Sequence, residues 1–338
     1  MRKGRLKLPA GLGPAYYHCI SRVVDRQMLF GPEEKQKFVS FLFEYTQFCE
    51  VRLVTYCIMT NHFHILVEVP PPPEEMPDDE ALSKKLEALS GIKRAGKFRQ
   101  DLERFRERKQ HKAAEALRGK VLCRMWDISN FMKELKQRFT QWYNRGKKRK
   151  GTLWEERFKS VLVESAGETL ATMAAYIDLN PVRANLVDDP GQFPYCGYAA
   201  ALAGNKEVLG GLAKALPPGF EDVLAAYRLL LFAQGEMNEG IDEQGRPPRR
   251  GFTSEEVAQV MAAKGKLPLH DYLRLRVRYF CDGVVLGRRP FVNEVFKQFR
   301  DRFGRKRKDG ARKMKYLAPE EFYSMRDLRV NVLQCRRE

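Results

Sequence analysis

A chain of 338 residues, 43% of them hydrophobic, can form two domains or one enlarged domain and bury its own core. Its 61 lysines and arginines against 43 aspartates and glutamates leave a formal charge of +18, which favours a polyanionic partner without separating DNA from RNA or an acidic membrane surface. The 7 cysteines are scattered and form no C-x-x-C pair, and no signal-peptide core or long apolar run occurs; these features exclude a disulfide scaffold, a structural zinc site and a membrane span, and predict a reduced, cytoplasmic, nucleoid-associated protein.

In chain order, residues 15–22 read as a first strand, rich in aromatic and apolar side chains. Pro32-Glu33-Glu34 opens a helix over 35–49, with Phe38, Leu42, Tyr45 and Phe48 at helical spacing. Two apolar runs, 51–57 and 60–69, suit adjacent strands, and the four prolines from Pro70 to Pro73 stop the second. The region from about 70 to 125 is highly charged and reads as an inserted set of solvated helices. An amphipathic helix follows over 129–144, with Phe131, Leu135, Phe139 and Trp142 on one side and Lys133, Lys136, Gln137 and Arg138 beside them. The basic turn Gly146-Lys147-Lys148-Arg149-Lys150-Gly151 leads to a return strand within 152–164, then a helix over 168–180 stopped by Pro181.

That order predicts an α+β fold: a ferredoxin-like antiparallel sheet with helices on one face, plus an added helix that carries Tyr176. The composition divides the chain into residues 1–200, with the charged insertion, and a mostly helical basic module over 201–338. In the second part Pro217-Pro218-Gly219 and 246–251 punctuate helical patterns, Thr253-Ser254-Glu255-Glu256 offers a capped helix start, and 290–303 reads as a helix. Residues 300–315 hold nine lysines or arginines and two aspartates. Such a run suits phosphate contact without base readout, and suits equally a solvated helix end.

The segment Thr60-Asn61-His62-Phe63-His64-Ile65-Leu66-Val67-Glu68 holds two of the chain's 5 histidines. On a strand, alternate side chains share a face, so His62 and His64 point one way and Phe63 the other. Paired imidazoles suit a divalent metal, although a strand carrying two polar residues would read the same. On the later helix, Tyr176 and Asn180 are four residues apart and stack on one side, offset from the stripe of Leu170, Met173, Ala174 and Ile177. Taken singly, Tyr176 is also a half-buried aromatic and Asn180 a helix-end residue. Together with the histidines they suit phosphodiester cleavage: two imidazoles and an amide oxygen can hold Mg²⁺ or Mn²⁺ with open positions, and a tyrosine oxygen can attack phosphorus.

Three ordered motifs, Met59-Thr-Asn-His62-Phe-His64-Ile-Leu-Val67, Gly151-Thr-Leu-Trp-Glu-Glu-Arg-Phe-Lys-Ser160 and Tyr176-Ile-Asp-Leu-Asn-Pro-Val-Arg-Ala184, resemble the REP-associated tyrosine transposases, in the single-tyrosine group of His-hydrophobe-His nucleases. The resemblance spans roughly residues 10 to 200, interrupted by the insertion, and includes Phe193-Pro-Tyr-Cys-Gly-Tyr198. It implies a domain that cuts and rejoins single-stranded DNA beside a hairpin or palindromic repeat, with His62 and His64 as metal ligands, Tyr176 as nucleophile and Asn180 as third ligand by position. A 5′-phosphotyrosine and a free 3′-hydroxyl would be the products of cleavage. Relatives in the wider group act as monomers or as homodimers that exchange the tyrosine helix.

The expected DNA contacts are Arg138, Lys147, Lys148, Arg149, Arg157, Lys159, Arg183, Arg305, Lys306, Arg307 and Lys308. Tyr16, Tyr17 and Tyr143 are rivals to Tyr176; Tyr143 suits either a stacking platform for an unpaired base or, more readily, a core contact, and His18 on the first strand could neighbour the metal, although an isolated histidine favours a structural role. His111 and His270 have no partner at ligand spacing. Two other readings compete: a hairpin-binding protein on the same fold without turnover, and an RNA-binding sheet, which the His-Phe-His strand disfavours because it lacks exposed stacking aromatics.

Overall fold

The structure is a computed structural model that describes residues 5–166, 168–232, 276–314, 322–326 and 333–334. The sequence expectations at 246–251, Thr253–Glu256 and His270 lie outside the described residues.

Strand β1 (Ala15–Arg22) leads to helix α1 (Pro32–Cys49), strand β2 (Arg52–Ile58) and strand β3 (His62–Val69). Helix α1 starts where sequence chemistry says it should. Pro32 occupies the first turn, where its missing N–H costs nothing, and the Glu34 carboxylate accepts from the Gly31 amide at 3.0 Å. The helix ends at Glu50, which takes a left-handed φ of 54°.

Three helices then form the insertion, α2 (Asp79–Ser90), α3 (Ile92–Glu107) and α4 (His111–Leu122), burying Leu82, Leu86, Phe98, Leu102 and Val121. Helix α5 (Ile128–Gly146) and strand β4 (Lys159–Val163) complete the strand-helix-strand-strand-helix-strand order, and α6 (Thr169–Asp178) follows.

The first four strands lie in the order β2-β3-β1-β4, each neighbour antiparallel. This is the ferredoxin-like arrangement. Helices α1 and α5 cover the face that carries Phe63, whose ring packs 4.7 Å from Phe38 and 5.4 Å from Trp154, while Phe38 lies 5.0 Å from Phe139. Helix α6 packs on β2, β3 and β4.

Strand β4 is shorter than the expected return strand. Trp154 makes only an isolated bridge to Val23, because its ring turns into the aromatic cluster and its Nε1 donates to Thr140 at 2.9 Å. The helix expected over 168–180 also breaks early, at Asp178, and the short α7 (Asn180–Arg183) starts around Pro181. Proline has no N–H for the preceding turn, so the break falls where that donor is missing.

Beyond residue 196 come α8 (Gly197–Leu202), α9 (Lys206–Ala215) and α10 (Val223–Phe232). Later segments add short strands as well as helices: β5 (Arg276–Val277), α11 (Arg278–Asp282), β6 (Val285–Gly287), α12 (Arg289–Gln298), β7 (Arg312–Lys313), β8 (Tyr323–Ser324) and β9 (Leu333–Gln334). β6 pairs in parallel with β4, through Leu162 with Val285 and Val163 with Leu286, so the main sheet runs on as β4-β6-β8-β7. The join is reinforced by Glu164, whose buried carboxylate accepts from the Arg288 amide at 2.6 Å and from its guanidinium at 2.8 and 3.0 Å.

Candidate active site

In the β1–β3 register, Ile20 faces His64 and His18 faces Leu66, so His18 and His64 are diagonal neighbours on one face. The imidazole centroids of His62 and His64 are 5.1 Å apart and those of His18 and His64 are 5.0 Å apart. His64 Nδ1 lies 2.8 Å from His18 Nε2, and His18 Nδ1 lies 2.9 Å from the carbonyl oxygen of Phe280. His18 is wholly buried, which pushes its pKa down to about 4 and holds it neutral near pH 7. His62 Nδ1 lies 2.7 Å from Asn61 Oδ1, and the same amide donates through Nδ2 to the Arg26 carbonyl at 3.0 Å.

Tyr176 reaches this histidine face from α6, its ring 6.4 Å from those of both His18 and His64. It is 1% exposed. The Phe280 ring packs 4.7 Å from it, Cys281 Sγ is 3.4 Å from its hydroxyl, and the Arg183 guanidinium lies 4.0 Å above its ring. Helix α11 therefore supplies part of the site's wall, a contribution that spacing within residues 10–200 has no means of showing. Cys281 and Phe280 carry no motif of their own.

The segment Asn180-Pro181-Val182-Arg183 repairs the helix break. Pro181 leaves the Ile177 carbonyl without its usual donor, and Asn180 Nδ2 donates to that oxygen at 3.2 Å. Arg183 donates to the Tyr176 carbonyl one residue earlier. Of the two polar ends of Asn180, this bond uses the nitrogen, whereas ligand chemistry belongs to the oxygen. The helix itself is anchored by Asp178, which accepts from Thr55 at 2.8 and 2.9 Å, from Tyr227 at 2.6 Å and from the Tyr198 amide at 3.1 Å. Burial raises its pKa to about 6 despite these donors.

Two imidazoles on one face, 5.1 Å apart, fit a divalent cation that takes its remaining ligands from oxygen. Among the described residues no group of three or more His, Cys, Asp or Glu side chains could hold a metal. The rival tyrosines are occupied elsewhere. Tyr16 donates to Glu68 at 3.2 Å, Tyr17 accepts from the Leu8 amide at 3.0 Å, and Tyr143 is buried beside Phe139. Burial pushes the pKa of both Tyr16 and Tyr17 up to about 12. His111 stands exposed at the start of α4.

The basic residues expected to meet DNA divide into two groups. Lys147 pairs with Glu34 at 2.8 Å, Lys159 with Asp282 at 2.9 Å, and Arg149 donates to Asn144 at 3.3 Å. Arg307 donates to the carbonyls of Asp309 at 3.0 Å and Gly310 at 2.8 Å, and to that of Met325, so it braces a loop. Arg183 belongs to the tyrosine's surroundings. Arg138, Lys148, Arg157, Arg305, Lys306 and Lys308 are exposed.

The sequence model of a family described as Transposase IS200 like matches residues 13–76, which run from β1 through β3. No curated protein matches the chain. A solved structure described as a REP-associated tyrosine transposase bound to a REP hairpin is 13% identical and covers 66% of this chain and 94% of that chain, at a TM-score of 0.38. The matched stretch, residues 13–76, carries His18, Asn61, His62 and His64.

Proposed function

We propose that this protein is a single-tyrosine DNA transposase that cuts and rejoins single-stranded DNA beside hairpins through a 5′-phosphotyrosine. The observation that carries the reading is the approach of Tyr176 to the face of His18 and His64, with 6.4 Å between ring centroids. In cleavage the Tyr176 oxygen attacks phosphorus, the new O–P bond replaces the bond from phosphorus to the 3′-oxygen, and the phenolic proton balances the charge on the departing 3′-hydroxyl. Rejoining runs the same exchange backwards with a 3′-hydroxyl as attacker, so no nucleotide cofactor is consumed.

His62 and His64 would hold Mg²⁺ or Mn²⁺, with Asn180 Oδ1 as third ligand. A bound ion would supply polarisation of a phosphoryl oxygen and stabilisation of the leaving group. Arg183, over the ring of Tyr176, adds positive charge beside the phenol. The exposed cations Arg138, Lys148, Arg157, Arg305, Lys306 and Lys308 would track the phosphate backbone. Because Tyr176 is 1% exposed, Phe280 and Cys281 must withdraw before phosphorus reaches it.

The test is a single-stranded hairpin oligonucleotide incubated with protein and Mn²⁺, with the covalent adduct read on a denaturing gel. Tyr176→Phe should abolish the adduct and leave hairpin binding largely intact. An adduct that persists in Tyr176→Phe overturns the assignment. The burial of Tyr176 favours a second reading, a hairpin-binding protein without turnover, which predicts binding but no adduct with either ion across a range of hairpins.

A further inference from the structure

We propose that His18 and Asn61 are positioning residues that set the tautomers of His64 and His62, so that both imidazoles turn their Nε2 lone pair toward the cation. The inference follows from which atoms can donate. A carbonyl oxygen only accepts, so His18 Nδ1, 2.9 Å from the Phe280 oxygen, carries a hydrogen. A neutral imidazole then has its acceptor at Nε2, and His64 Nδ1, 2.8 Å away, has to be the donor. The lone pair of neutral His64 is thereby at Nε2.

The second histidine is set by the same logic. Asn61 Nδ2 donates to the Arg26 carbonyl at 3.0 Å, which fixes the amide's orientation and leaves Oδ1 as the atom facing His62 Nδ1 at 2.7 Å. An amide oxygen accepts, so His62 Nδ1 donates and its lone pair is also at Nε2. Each ligand is thus held by a side chain that is itself tied to a backbone carbonyl, Phe280 on one side and Arg26 on the other. These are the outer contacts that orient a metal-binding histidine and raise its basicity. Because His18 takes its hydrogen-bond acceptor from α11, docking of the C-terminal segment reaches His64 through the His18 imidazole.

The metal-binding arm of the test rests on the transposase reading, and the tautomer arm does not. Long-range proton–nitrogen NMR of the metal-free full chain should show hydrogen on Nδ1 and none on Nε2 for both His62 and His64. A hydrogen on Nε2 of either residue overturns the proposal, whether or not metal binds. In the second arm, Mn²⁺ affinity is measured by calorimetry. His18→Phe should weaken it by about 10- to 100-fold, whereas His18→Gln, whose amide oxygen can take the place of Nε2, should restore most of it; Asn61→Ala should also weaken it. Wild-type affinity retained in a folded His18→Phe overturns the role of His18. If the wild-type chain binds no Mn²⁺ but shows the expected tautomers, the hydrogen-bond assignment stands and the metal-dependent reading falls.

Discussion

Phe63 and His64 are adjacent in the chain and lie in opposite environments. On the Phe63 side, β3 meets α1 and α5 through an aromatic cluster of Phe38, Phe139 and Trp154, all from residues before 160 and spaced at helical or strand periodicity. On the His64 side, the neighbours are His18, Tyr176, Phe280 and Cys281, from three separate stretches. The aromatic side is held by area removed from water and tolerates chemical exchange among hydrophobes. The polar side is held by directed hydrogen bonds, whose strength depends on matching a donor to an acceptor.

Substitutions on the two sides should therefore separate stability from chemistry. The largest stability effect is expected at Phe63→Ala, a loss of about 3–5 kcal/mol in chemical denaturation, with the histidine geometry otherwise intact. His64→Ala should cost less, about 1–3 kcal/mol for the His18 nitrogen left without its donor, and should abolish the adduct with hairpin DNA. Equal stability losses at the two positions would erase the distinction between the faces.

Asp178 sharpens the comparison through pH. The native state keeps its proton up to about pH 6, above the ordinary 3.8, so the stability this group contributes is fully present below about pH 4 and is lost as pH rises toward 6. The change amounts to roughly 3 kcal/mol by the usual conversion, and Asp178→Asn should remove it from a stability–pH profile. A smaller effect is expected at Asn180→Ala: about 1–2 kcal/mol of stability lost in metal-free protein, because the Ile177 carbonyl loses its donor. No loss without metal would confine Asn180 to ligation. Least of all, Lys306→Gln with Lys308→Gln should leave stability within about 0.5 kcal/mol and lower the salt dependence of hairpin binding.

Much of the aromatic side was legible in the residues. The helix at α1, the paired strands and the alternating His-Phe-His pattern follow from local spacing, and so does the packing of Tyr143. The first strand let His18 neighbour the histidine pair, but a single histidine favours no one placement until register sets it diagonal to His64. Arg307 and Lys147 read as phosphate contacts from charge alone, and the fold uses one to brace carbonyls and the other to pair with Glu34. The stacked Tyr176 and Asn180 of a continuous helix became a tyrosine and a cap across a break, a consequence of Pro181 that spacing at 100° per residue does not register.

Near-neighbour spacing and composition are enough to give the strand-helix-strand-strand-helix-strand order, the shared face of His62 and His64, and the excess of positive charge. Tertiary contacts alone set which atoms His18 and His64 turn to one another, bring α11 over Tyr176 and continue the sheet beyond β4 through β6. The first of these contacts joins residues 46 positions apart and the other two join residues more than a hundred apart, and their geometry exists only once the sheet's register and the helix break have been set.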